Sequence, residues 1–179
     1  MTSNLIQINP GKQLTDSSYI SELLSYQEYY RGIPIIESLL QAASNALMQL
    51  TAGYLPQALP KLEISDDTIE ALQQYVLRQY PTDQQAGNAL WQYLIKPLEE
   101  VDYALRHLRE VLIQEFSMYG FVSSEFMIDL ATYTKGEAVL ELMAGHGYLS
   151  AGLRTVNAAQ RVYTTDNLDW QLQPDQTLA

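Results

Sequence analysis

A short apolar run, Val139-Leu140-Glu141-Leu142, passes straight into Met143-Ala144-Gly145-His146-Gly147 and then into a helix-like pattern from Tyr148. No other stretch constrains the chain as tightly. The run from Glu137 to Leu142 is short and rich in Val and Leu, the signature of a buried parallel strand. Gly145 and Gly147 carry no Cβ, so the turn can take left-handed dihedrals and let a ligand approach the backbone. Leu149, Ala151, Gly152, Leu153 and Val156 then continue as a short helix, whose first N–H groups favour acceptors and negative charge. A second apolar segment, Arg161 to Thr165, stops at Asp166. Asp166 follows the glycine turn at roughly the 20-residue spacing that brings an acid on a second strand to a nucleoside ribose.

These residues resemble the S-adenosylmethionine site of class I methyltransferases, whose first motif is a strand ending in an acid followed by a small-residue loop of the form G-x-G-x-G. Here it reads Glu141-Leu142-Met143-Ala144-Gly145-His146-Gly147, with Met143 in the first glycine position. The family's second signature, an acid ending the second strand, corresponds to Asp166. The resemblance implies that Glu141 holds the loop and the methionine end of the cofactor. It implies that the backbone of Met143, Ala144, Gly145, His146 and Gly147 wraps the methionine and ribose. Asp166 would accept hydrogen bonds from both ribose hydroxyls, with Asn167 beside the adenine. No residue is assigned a catalytic role. A left-handed dihedral at Met143 would cost roughly 1–2 kcal/mol. The rival nicotinamide fingerprint wants a third glycine at position 150, which is Ser150, and does not ask for an acid at the end of the first strand.

Before this unit the periodicity is helical throughout. Asp16 or Ser17 caps a helix running to about Arg31, with Ile20, Leu23 and Leu24 as its apolar face. Gly32 closes it and Pro34 opens the next from the first-turn position it favours. Ile36, Leu39, Leu40, Ala43, Leu47 and Leu50 form a stripe ended by Gly53. Residues 54–64, with Pro56 and Pro60, read as a linker. Ser65 caps a helix buried through Ile69, Leu72, Val76 and Tyr80. Another spans roughly 84–95, and a long one runs from Pro97 to about Met118. Asp102 and Arg106 pair on it at i,i+4. Ser123 or Ser124 caps a last helix through Phe126, Ile128, Leu130 and Tyr133, which Gly136 terminates.

The expected fold is therefore α/β: an all-α region over 1–135, then, over 136–179, the first β-α-β unit of an incomplete Rossmann-like sheet. The tail 171–178 is polar and not strand-like, so the chain reads as the N-terminal, truncated part of such a methyltransferase. The alternative is a non-catalytic helical interaction module carrying a remnant nucleotide-binding motif.

Charge narrows the acceptor. With 10 basic and 21 acidic residues the net charge is −11, and nucleic-acid affinity comes largely from Lys and Arg displacing counterions. DNA or RNA is disfavoured; a small molecule or a protein side chain fits. There is no cysteine and there are only two histidines, which excludes disulfides and thiolate or histidine-rich metal sites and suits a cytoplasmic setting. No run reaches the ~18 apolar residues of a membrane span. Tyr26, Tyr29 and Tyr30 cluster beside Arg31; amphipathic packing with the hydroxyls at the surface is the simpler expectation, a lid over a substrate pocket the alternative. His146 is expected to contribute backbone only, and His107 to be solvated.

Overall fold

The computed structural model describes residues 5–8, 11 and 13–166, so Asn167 and the 171–178 tail lie outside the described residues. Within that range the order is α1 (Ser18–Tyr29), α2 (Pro34–Thr51), α3 (Asp66–Gln79), α4 (Gln84–Ile95), α5 (Leu98–Phe116), α6 (Ser124–Thr134), β1 (Val139–Leu142), α7 (Tyr148–Val156) and β2 (Val162–Thr165). The chain is mostly helical, with one small parallel sheet of β1 and β2 among the described residues. The chain divides into two compact units. One takes in 1–15, 45–58 and 110–179, the other 16–44 and 59–109. The strand–helix–strand segment thus shares a unit with the end of α2, the end of α5 and all of α6.

In the second unit, α1 buries Tyr19 and Leu23, and Tyr30 at its C-cap is buried as well. The apolar face expected at Ile20, Leu23 and Leu24 is rotated: Leu24 is exposed and Ile20 only half-buried. The tyrosines win those positions because their hydroxyls find carbonyls. Tyr19 donates to Ala104 O at 2.7 Å and Tyr30 to Leu94 O at 2.7 Å. A buried phenol with a partner contributes ring area without a desolvated orphan. Hydroxyls at the surface are therefore not what Tyr30 shows. Its burial, with Tyr29, Tyr26 and Glu100 nearby, pushes its phenol well above the ordinary range. Tyr29 stacks on Tyr93 with ring centroids 4.5 Å apart. His107 is half-buried rather than solvated, edge-on to Tyr19 and stacked on Tyr103.

Ser65 caps α3 as expected, forming a reciprocal pair with Thr68. Leu72 and Val76 are buried but Tyr80 is 41% exposed, and Thr68 takes the first buried position. Asp83 caps α4 by accepting from Ala86 N at 3.0 Å. The Asp102–Arg106 pair is present at 2.7 Å, and Arg106 also reaches Glu63.

In the first unit, residues 54–58 are not a slack linker. Leu55 is fully buried; its N–H donates to Ile6 O at 2.8 Å, and Ser124 N donates to Pro56 O at 2.8 Å. Ser124 Oγ donates to Leu55 O, and Glu125 accepts from Ala58 N at 2.7 Å. The start of α6 is thereby sewn to that segment. Ser123 caps α6 through Phe126 N. The buried face of α6 falls at Met127, and not at Phe126 or Tyr133, which are exposed. Met127 is the residue that meets α7 at Gly152: a Cβ on Gly152 would lie 2.8 Å from Met127 Cγ and 3.2 Å from Leu55 Cδ1. Small at 152, large at 127 and 55: this pairing lets α7 sit close, with Leu153 buried beneath it.

β1 and β2 run parallel, pairing Val139 with Val162 through Leu142 with Thr165. One face, Val139, Glu141, Val162 and Thr164, is half-covered; the other is open. Leu140 is 58% exposed, Leu142 66% and Tyr163 57%. The expected strand buried on both faces is thus buried on neither fully. A βαβ crossover places its helix on one face only, and the described residues provide no second layer.

Candidate functional site

The turn after β1 is built from three left-handed residues: Met143 at φ 56°, Gly145 at φ 54° and Gly147 at φ 72°. Gly147 N donates to Ala144 O at 2.8 Å, closing the turn, and Ala144 N donates to Thr165 O at 3.0 Å, extending the parallel ladder into it. The glycines serve this path directly, since a left-handed dihedral is free of strain only without a Cβ. At Gly145 the requirement is conformational alone, because nothing lies within 4 Å of where its Cβ would be. Met143 holds the same conformation with a side chain, and that side chain is 88% exposed.

Two carboxylates grip the turn from its two flanks. Glu141, near the end of β1, reaches the first turn of α7. Its Oε2 accepts from Ser150 N at 3.0 Å and also from Ser150 Oγ. The helix needs this, because its N-cap residue is Gly147 and supplies no side-chain cap. A distant acid therefore does the capping and meets the positive end of the helix dipole. Asp166, one residue past β2, accepts from Gly145 N through Oδ2 at 2.6 Å. Both acids sit at the carboxyl ends of neighbouring parallel strands, the end at which ligands bind in open α/β sheets.

A cavity of about 330 Å³ opens against this turn, lined by residues 117–122, Phe126, Glu141, 143–146, Tyr148 and Leu149. Of the residues expected at the cofactor, Glu141, Met143, Ala144, Gly145 and His146 line it, whereas Gly147 and Asp166 do not. His146 is buried at 3% exposure. The opposite wall carries no sequence signature. It arises where α5 stops: Ser117 is left-handed at φ 50°, and Met118 N reaches back to Leu112 O at 3.1 Å. Tyr148 ties the walls together by donating to Phe116 O at 2.6 Å. Left-handed serine at a helix end has little sequence preference behind it; the nearest hint was Gly120 two residues past Met118.

No helix among the described residues is long and apolar enough to cross a membrane, and no group of three or more His, Cys, Asp or Glu there is placed to hold a metal. Comparison with protein-family models, with curated proteins and with solved structures finds no match to this chain.

Proposed function

We propose that the β1–α7–β2 unit is a nucleoside-cofactor site and the chain an S-adenosylmethionine-dependent methyltransferase of class I, acting on a small-molecule or protein acceptor. One observation carries the reading. Carboxylates from the ends of two adjacent parallel strands, Glu141 and Asp166, converge on a single left-handed glycine turn that walls a ligand-sized cavity. The donor set suits the group. The turn leaves open space at Gly145, and the reading assigns the ribose hydroxyls to Asp166, whose Oδ2 also holds Gly145 N. The cofactor, when bound, supplies an electrophilic methyl group on a sulfonium. The chain's own part is to orient it: methyl transfer is an in-line displacement governed by proximity and alignment. The net charge of −11 sets polyanionic acceptors aside.

The test is calorimetric titration with S-adenosylhomocysteine. Micromolar binding, lost in Asp166→Ala with the circular dichroism spectrum unchanged, supports the site. Absence of heat at about millimolar ligand, a binding free energy weaker than about 4 kcal/mol, removes it.

The alternative, a helical interaction module with a vestigial motif, draws on the second unit, which has its own polar-satisfied helical core. It requires that residues 137–179 be dispensable. The packing of Gly152 against Met127 and Leu55, with Leu153 buried, argues the reverse: deletion of 137–179 is expected to expose that core and lose cooperative unfolding of the first unit. A deletion variant that stays folded and monomeric would favour the module.

A further inference from the structure

We infer that the cavity between residues 117–126 and the turn 143–149 takes an alkylated onium cation, a sulfonium or a quaternary ammonium, through its aromatic wall. Four rings line it, Tyr119, Phe121, Phe126 and Tyr148. Three of them stay exposed at 57%, 39% and 48%, respectively. Aromatic side chains left open around a concave site mark a binding surface rather than unfinished core. Among the described residues the only formally charged one in the lining is Glu141, and neither Lys nor Arg there contributes to it.

The wall's composition selects among ligands. Among the described lining residues an anion meets no cation: the start of α7, which would attract one, is already engaged by Glu141, and Gly145 N by Asp166. A primary ammonium would lose its strong hydration against carbon walls that return few acceptors. An onium whose substituents are alkyl groups has no N–H or O–H to satisfy, sheds water cheaply, and is drawn to ring faces and to the nearby carboxylate. The cation has two possible sources, the methyl donor's own sulfonium or a separate ammonium ligand. The inference rests on the cofactor reading only for the first.

The experiment titrates the full chain with two matched pairs. S-adenosylmethionine and S-adenosylhomocysteine differ by the methyl group that makes the sulfur cationic. Choline and 3,3-dimethylbutan-1-ol differ by nitrogen against carbon. Cation–π attraction of the usual size gives the cation roughly a tenfold advantage. Phe121→Ala and Tyr119→Ala, both at exposed positions, should erase that advantage by weakening the cation more than its neutral partner; overall negative charge cannot produce such a loss. Preference for S-adenosylmethionine over S-adenosylhomocysteine, sensitive to the rings, supports the inference with the cofactor as source. Preference for choline with no binding of S-adenosylhomocysteine supports it with a separate ligand, and removes the cofactor reading. Equal affinity within each pair, a preference that survives both ring deletions, or no binding by any probe overturns it. In the first two of those outcomes, measurable S-adenosylhomocysteine binding leaves the cofactor reading standing.

Discussion

Replacing Met143 with glycine should stabilise this protein. Met143 sits at φ 56°, a conformation that costs an L-residue roughly 1–2 kcal/mol through contact of Cβ with its own backbone. Glycine removes that cost but enlarges the conformational freedom of the unfolded chain, worth about 0.4–1 kcal/mol in the opposite sense. Lost burial adds little, since the side chain is 88% exposed. The balance is a gain of about 0.5–1 kcal/mol, or roughly 1–4 °C in Tm for a chain of this size. Met143→Ala is the control that separates backbone from side chain. It keeps the left-handed penalty and should lie within about 0.5 kcal/mol of the parent. Thermal unfolding followed by far-ultraviolet circular dichroism reads both. Alanine gaining as much as glycine, or glycine losing stability, would refute the assignment of strain to this dihedral.

Three further expectations rest on other contacts. Ser150→Ala removes a fully buried hydroxyl that donates to Glu141 and should lower stability by about 1.5 kcal/mol, read as a drop in urea midpoint at constant slope; no change would mean that the bond has no net value. Gly152→Val places atoms where Met127 Cγ and Leu55 Cδ1 already are and should cost about 1–3 kcal/mol through overpacking, whereas an unchanged midpoint would show that α7 is not held close to α6. Asp102 is subject to desolvation, which raises its pKa, but the hydrogen bond from Arg106, the Ile64 N–H and the Arg106 charge together hold it below its ordinary 3.8. A depressed folded-state value stabilises the protein above the unfolded pKa and loses that contribution as pH falls through the folded one. Asp102→Asn should therefore lower the urea midpoint near neutral pH, with the gap to the parent narrowing below about pH 4; a gap that widens in acid contradicts the sign.

Much of the architecture was legible because it is written in local chemistry. Pro34, Ser65 and Ser123 mark helix starts through φ restriction or capping, and the helices begin beside them. The strand–turn–helix–strand pattern was equally plain, since Val139–Leu142 and Val162–Thr165 are short apolar runs bounded by turn residues. What the sequence concealed is tertiary. Which face of α1 turns inward depends on two tyrosine hydroxyls finding carbonyls at Ala104 and Leu94, far along the chain. The wall at 117–122 depends on one left-handed serine. The partition of burial on α6 is set by Gly152, 25 residues beyond Met127, and no local periodicity encodes that. Ser150 looked like a departure from a nicotinamide fingerprint; it is the hydroxyl through which Glu141 holds the helix.

The open face of the small sheet carries a cost in solution. Leu140, Leu142 and Tyr163 present a greasy strip beside strand edges that, among the described residues, pair with nothing. Such a ribbon is a template for another chain's backbone. Mutual repulsion between copies bearing eleven excess negative charges is the force that keeps the strips apart at low ionic strength. That repulsion reaches only about 8 Å at physiological salt, so colloidal stability here is an electrostatic property, and concentrated salt brings the strips within reach of each other.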